Sequence, residues 1–242
     1  MKTSPTFRNN FKVKFPRIFR SARKFYYFIL KLFTGKSQSQ IIFNKIYRLN
    51  NWGDSQSVSG PGSNLKNTEN LRKELPAVLK ELKIKSLLDI PCGDYFWMKE
   101  IVLPLDFYIG ADIVNNIIAK NKNLYENDKR KFMNLDLIKD KLPETDAVFC
   151  RDCLPHLSNK LIKASLESVK LSGAKYFFTS TYLSCKKNEE IHVGGFRPVN
   201  FQLKPFNFPD PLKIISDPCV TEKKILDDKT IGIWKIEDLP IK

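Results

Sequence analysis

Residues 86–94, Ser-Leu-Leu-Asp-Ile-Pro-Cys-Gly-Asp, constrain the fold more than any other stretch of this chain. A short apolar run ends in an acid, Asp89, then passes through Pro91, Cys92 and Gly93 to a second acid, Asp94, ahead of Tyr95, Phe96 and Trp97. A buried strand that stops at an acid and a glycine turn leaves a carboxylate and bare backbone at the carboxyl edge of a sheet. Open α/β folds hold nucleotide-like ligands at that edge. Gly93 has no Cβ to keep a ligand off the main chain. The later glycines of G-x-G-x-x-G are missing, and rings stand in their place, which disfavours a pyrophosphate packed at a helix start. An amino acid joined to a nucleoside, with no phosphates, suits the turn better.

Two further acids recur at the ends of apolar runs. Phe107–Ile113 reads as a second buried strand ending at Asp112, nineteen residues past Gly93, and an acid about 20 residues on can reach both hydroxyls of a ribose. Asp136 follows a third strand-like run at 132–137. Each acid alone reads equally well as a helix cap or turn residue. Three of them, at successive strand ends, read as a ligand cleft.

A fourth strand pattern, Ala147 to Cys150, breaks at Arg151-Asp152, with His156 four residues beyond Asp152 and Ser158 placed to cap the helix of 161–171. His156 is one of two histidines in the chain. Imidazole titrates near neutrality, so it can take a proton from an acceptor hydroxyl, and a carboxylate such as Asp152 can orient it or stabilise its charged form. The bland alternative is a histidine bonded to a backbone carbonyl beside a helix start. Cys150 and Cys153 form a C-x-x-C pair, but no second close pair completes four zinc ligands, and Cys150 falls inside the strand pattern. Core cysteines are the expectation. Five cysteines without framework spacing point to a reducing, cytoplasmic setting.

A fifth strand covers 174–183, and a stretch rich in Gly, Pro, Asn and rings comes after it over 185–211. So long a segment without periodicity reads as a functional loop. Phe196, Arg197 and Asn200 suit a sugar, whose apolar face lies on rings while its hydroxyls take hydrogen bonds; an ordered surface loop is the equal alternative. Glu189, Glu190 and His192, with Asp152, have the donor types for a divalent cation, although nothing in their spacing demands one. Helices are expected between the strands, the first pair included, and before β-type residue 86 a helix over 69–82 has Thr68 as its cap.

Residues 86–94 resemble the first motif of class I S-adenosylmethionine-dependent methyltransferases, in a branch whose turn reads D-x-P-C-G-D. The resemblance extends from about Trp52 to Pro211. It implies a doubly wound, mostly parallel seven-stranded α/β sheet with helices on both faces and a final antiparallel hairpin at one edge. It implies S-adenosylmethionine as cofactor, bound by Asp89, Pro91, Cys92, Gly93, Asp94, Trp97, Asp112 and Ile113, with Asp136 and Leu137 at the adenine. The branch carries R-D-x-L-x-H-L, which adds Arg151, Asp152 and His156 to the site. It carries N-x-x-I-x-x-G-x-x-R-P-x-N, matched by Asn188, Ile191, Gly194, Arg197, Pro198 and Asn200, which implies acceptor contacts from Asn188, Arg197 and Asn200. A segment W-x(n)-S-x-S-G-x-G-S, matched by Trp52, Ser57, Ser59, Gly60, Gly62 and Ser63, implies a lid over 51–68. The similar enzymes methylate sugars of surface-polysaccharide pathways, so the implied activity is O-methylation of a glycan or nucleotide-sugar precursor, with His156 as base and Asp152 as its partner or a substrate anchor. Methylation of nucleic acid or another small molecule, and a non-catalytic membrane adaptor with the same fold, are the alternatives.

The charge is concentrated at one end. Residues 1–53 hold twelve Lys and Arg and no acid, leaving 29 basic against 26 acidic residues for the remainder, so most of the net +15 belongs to the front. This divides the chain into a basic aromatic extension, 1–50, expected to be helical, and a domain over 51–242. Within the extension, 17–33 interleaves cations with rings; its apolar run is too short to span a bilayer. A helix lying on an anionic membrane through 8–36 is one reading, making the protein peripheral to that membrane, and a helix on the domain's own surface is the other. Nucleic acid is the weaker partner, since the N-P-P-Y or D-P-P-Y of exocyclic-amine methylation is replaced by Arg151-Asp152-Cys153-Leu154.

Overall fold

Strand β1, Ser86–Asp89, forms where the sequence alternates between two buried environments: Leu87 faces one core and Leu88 the other. The same alternation runs through β2, Phe107–Asp112; β4, Ala147–Cys150; and β5, Tyr176–Tyr182, which is how strands covered on both faces read in sequence. With β3, Arg130–Asn134; β6, Lys213–Ser216; and β7, Lys229–Lys235, they make a seven-stranded sheet of order β3-β2-β1-β4-β5-β7-β6. The computed structural model describes residues 25–27, 29–30, 35–219 and 228–241.

Strands β1 to β5 pair in parallel, while β7 pairs antiparallel with both β5 and β6. The doubly wound sheet with a reversed edge is as expected. Helices α2, Glu69–Glu81, and α3, Asn115–Tyr125, close one core with Leu71, Leu75, Leu79 and Ile118. Helix α4, Asn159–Leu171, closes the other with Ile162, Leu166 and Val169. Ser158 caps α4, its hydroxyl accepting from Leu161 N–H.

Two local expectations are corrected. In place of a helix between β1 and β2, only a 3-10 turn, Met98–Glu100, forms there. Trp97 and Met98 turn inward to the core, and Pro104 breaks the remaining stretch before β2. Thr68 stands at the start of α2 without capping it through its hydroxyl, which donates instead to Asn64 O at 2.8 Å. The loop of 185–211 is ordered by burial: Phe201 stacks with Phe206 and Phe208 at 5.1 Å, and Phe208 meets Trp234 edge-on at 5.3 Å. Those rings fill the core, leaving Phe196 exposed.

The chain separates into two units, Met1–Ile42 and Phe43–Lys242. In the first, residues 25–27 and 29–30 are helical, and helix α1, Gln38–Arg48, begins there. Most of the expected membrane-surface segment, 8–36, lies outside the described residues. No helix among the described residues is long and apolar enough to cross a membrane.

Candidate active site

The order β3-β2-β1-β4 brings the candidate residues to one sheet edge. Chain direction diverges between β1 and β4, the position at which open α/β sheets bind their ligands. Cys92 N–H donates to Ala111 O at 2.8 Å, which folds the turn after β1 back onto β2. Gly93 has φ +53°, and its N–H donates to Asp112 Oδ2 at 3.2 Å. Asn121 of α3 donates to Gly93 O at 2.8 Å. Asp112 also accepts from Val114 N–H at 2.8 Å, and Tyr108 donates its hydroxyl to Asp89 Oδ2 at 2.6 Å. Among the described residues, neither Asp89 nor Asp112 has an ion-pair partner. Burial pushes the Asp89 carboxyl up to about 7 against the opposing bond from Tyr108, and the Asp112 carboxyl up to about 6 against bonds from Val114 and Gly93.

Asp136 sits one residue past the point where Leu135 N–H and the Asn134 amide both bond Asp112 O, at 3.2 and 2.8 Å. Its carboxylate accepts from Ile138 N–H at 3.1 Å and shapes that turn. Leu137 is buried beside it, Ile113 is half-buried, and Pro91 follows Ile90 through a cis peptide.

Asp94 faces the segment before the sheet. Its carboxylate accepts from the Ser57 hydroxyl at 2.9 Å, Val58 N–H at 3.0 Å and the Ser59 hydroxyl at 3.3 Å. A Cβ at Gly93 would stand 2.2 Å from Ser59 Oγ, so the glycine is required for this approach. Gly62 O accepts from Arg151 at 2.7 Å, while Trp52 lies 5.5 Å from the His156 ring.

After β4, Arg151 is buried, stacked 5.4 Å from Trp97 and bidentate to Asp217 at 2.8 and 2.9 Å. Lys229 Nζ lies 2.9 Å from Asp152 Oδ2 and 3.1 Å from Asp217 Oδ2, and Arg151 is 3.3 Å from Asp152. Asp152 has φ +51°, held by exchange with Ser180: its N–H donates to Ser180 Oγ and its Oδ1 accepts the Ser180 hydroxyl. Burial would raise the Asp152 carboxyl, but Lys229 and Arg151 outweigh it and hold the group well below the usual carboxylate range. Asp152 is a fixed anion.

His156 ends a 3-10 turn, Leu154–His156. Its Nδ1 is 2.7 Å from Gly195 O. A carbonyl can only accept, so Nδ1 carries the proton and Nε2 presents a lone pair. Burial lowers the imidazole from its ordinary value, opposed by Gly195 O and Asp152, and aided by Arg197 and Lys229. The ring's hydrogen-bond partner is thus a loop carbonyl, and Asp152 acts on it through space.

The loop after β5 holds Asn188, Arg197 and Asn200 in its own framework. Asn188 donates to Asn200 O and Lys204 O at 2.8 and 3.0 Å and accepts from Asn200 N–H at 2.9 Å. Asn200 donates to Leu183 O and Cys185 O, both at 3.2 Å. Arg197 donates to Glu189 O, Leu154 O, Pro155 O and Asn159 Oδ1 within 3.2 Å, tying the loop to the turn that carries His156. Phe196 is the neighbour that the loop presents to His156, at 5.6 Å.

Of the residues with donor types for a cation, Glu190 accepts Asn159 N–H, Glu189 pairs with Lys187, and Asp152 with Lys229. Among the described residues no three of His, Cys, Asp or Glu converge on a metal position. None of the five cysteines is in a disulfide; Cys150 is buried as expected, whereas Cys153, also expected in the core, is only half-buried against it. Sequence reasoning missed Tyr108, Asn121, Asp217 and Lys229. Lys229 and Asp217 reach the site across 77 and 66 residues respectively, and no local spacing announces them.

The chain matches no family model and no curated protein. Its fold is that of several solved methyltransferase structures. PigF with SAH superposes with a TM-score of 0.55 at 14% identity, covering 85% of this chain and 64% of that one. The methyltransferase domain of bacterial CtHen1, in its C form, gives 0.52 at 13% identity over 71% and 98% of the two chains. The CN form of that domain gives 0.50 at 12% identity over 71% and 100%.

Proposed function

We propose that this chain is an S-adenosylmethionine-dependent O-methyltransferase whose acceptor is a sugar hydroxyl of a glycan or nucleotide-sugar precursor. One observation carries the reading: an imidazole whose Nδ1 lies 2.7 Å from Gly195 O follows β4, the strand beside β1, and so belongs to the same sheet edge as the acids that end β1 and β2.

The cofactor fits the residues present. Among the described residues, the buried carboxylates Asp89 and Asp112 have no ion-pair partner, Arg151 acting on Asp89 only through space, and a ligand bearing ammonium and sulfonium charges would supply a closer cation. The Gly93 turn gives close backbone approach, Asp112 the reach to ribose hydroxyls, and Asp136 with Ile113 and Leu137 a polar edge between apolar walls for adenine. When bound, S-adenosylmethionine supplies a methyl group on a sulfonium sulfur with a neutral thioether as leaving group.

His156 Nε2 takes the acceptor hydroxyl's proton as that oxygen gains its bond to the methyl carbon. Gly195 O keeps the ring turned for this, and the Asp152 anion favours the imidazolium that results. Sugar as acceptor is supported by Phe196 and Trp52 beside the base, since rings accept the apolar face of a pyranose. Arg197, Asn188 and Asn200 serve acceptor binding by bracing the loop that carries Phe196. The basic front would hold the enzyme at an anionic membrane, where lipid-linked precursors lie; retention on acidic liposomes in high salt tests that.

Titration calorimetry with S-adenosylhomocysteine against NAD tests the cofactor, and labelled-methyl transfer to a panel of nucleotide sugars tests the acceptor. His156→Gln should bind S-adenosylhomocysteine normally while turnover falls about 10²–10⁴-fold. Heat with NAD alone, or full turnover in His156→Gln, sinks the reading.

A further inference from the structure

The front segment touches the site at three separate places. Ser57, Val58 and Ser59 bond the Asp94 carboxylate, Gly62 O accepts from Arg151, and the Trp52 ring lies 5.5 Å from the His156 ring at an interplanar angle of 39°. Gly60, at φ +94°, lets the chain fold tightly over Trp52: a Cβ there would meet Trp52 Cβ at 3.0 Å. Phe43 supports the indole from a further side at 6.5 Å.

His156 therefore has Trp52 from the front segment, Phe196 from the loop after β5, and Gly195 O on Nδ1. That loop is pinned to the histidine's own turn by Gly194 N–H to His156 O at 2.9 Å and by the Arg197 guanidinium. Among the described residues the indole has no such tie to the turn; its place depends on the Ser57–Asp94 and Gly62–Arg151 bonds.

We propose that Trp52 is a positioning residue for the catalytic base, packing against the His156 ring and shielding it from water, so that the front segment must seat on Asp94 before the base is competent. The proposal rests on the reading of His156 as base. It deepens that reading by placing the base under the control of a segment that also contacts the cofactor turn. The charged groups acting on the imidazole are Asp152 at the end of β4, Lys229 on β7 and Arg197 on the loop; none is on the front segment, so altering Trp52 changes shielding and geometry without changing charge.

Only His156 and His192 contribute imidazole signals, so nitrogen-15 NMR of the full-length protein reads the ring directly, without an acceptor or cofactor. Wild-type His156 should show the Nδ1–H tautomer. Trp52→Ala should raise its apparent pKa by about half a unit or more, as water reaches the ring, while Gly195 O keeps the proton on Nδ1. Trp52→Phe should restore the wild-type signal. Ser57→Ala/Ser59→Ala, which removes two of the bonds that seat the front segment on Asp94, should raise the His156 pKa likewise and serves if Trp52→Ala does not fold. An unchanged pKa in the folded variants overturns the proposal, as does a fall in pKa. Failure of His156→Gln to reduce turnover would instead strike the base assignment, whatever the NMR shows.

Discussion

Lys229→Met offers the sharpest test of how the site is held together. Lys229 is 2% exposed and sits between Asp152, 28% exposed, and Asp217, fully buried, with Arg151 completing a cluster of two cations and two anions. At 2.9 and 3.1 Å, and an effective dielectric constant near 20, each contact is worth roughly 5 kcal/mol of Coulomb energy. Most of that is offset by the desolvation of the three groups. Removing the ammonium leaves a net negative charge in a buried site, and breaking such a pair costs about 3–5 kcal/mol. Pairing Lys229→Met with Asp152→Asn restores neutrality and should recover most of the loss, a coupling of about 2 kcal/mol or more in a double-mutant cycle. Urea denaturation of wild type, both single variants and the double variant at neutral pH measures this. A single-variant cost under about 1 kcal/mol, or a double variant less stable than the two losses added together, would refute the account of Lys229 as the counterion that keeps Asp152 charged.

Asp89 is raised to about 7, so its charged form is populated above neutrality and lost as pH falls. The affinity for S-adenosylhomocysteine, whose ammonium favours that charged form, should weaken about tenfold between pH 8 and pH 6 by calorimetry. A flat profile would count against Asp89 as the acid sensed by the ligand. The unliganded protein should respond oppositely: an acid raised in the folded state destabilises it as pH climbs from about 4 through 7, so Asp89→Asn should raise the melting temperature at pH 8 while abolishing ligand binding. Gly93→Ala, which puts a Cβ 2.2 Å from Ser59 Oγ at φ +53°, should displace the front segment and cost about 1–2 kcal/mol or more, seen as faster proteolysis around residues 52–63.

The sheet was legible because strands covered on both faces show as short apolar runs, and each of β1, β2 and β4 ends where a polar residue takes over. The acids were legible for the same reason: Asp89 and Asp112 are the residues at which burial of a strand gives way to a turn. The helix expected after β1 was not, because the apolar residues of 95–105 resemble a helical face but serve to fill the core beneath Arg151. Motif matching picked out Asn188, Arg197 and Asn200 but not the loop bonds their side chains make, since a spacing pattern does not distinguish a side chain that meets a ligand from one that ties its own loop. Lys229 and Asp217 were invisible for a plain reason. Their partners lie on strands joined to them only through the sheet, and a lone lysine or aspartate in sequence carries no sign of the charge it will meet.

Neither Trp52 nor Phe196, the rings on either side of the imidazole in sequence, belongs to a strand or a helix. The rings that crowd His156 therefore come from loop segments, whereas its own turn follows directly from β4. Changing Trp52 or Phe196 alone would alter the space beside the imidazole while leaving both cores of the sheet as they are, so a shared fold at this level of divergence is compatible with quite different acceptors.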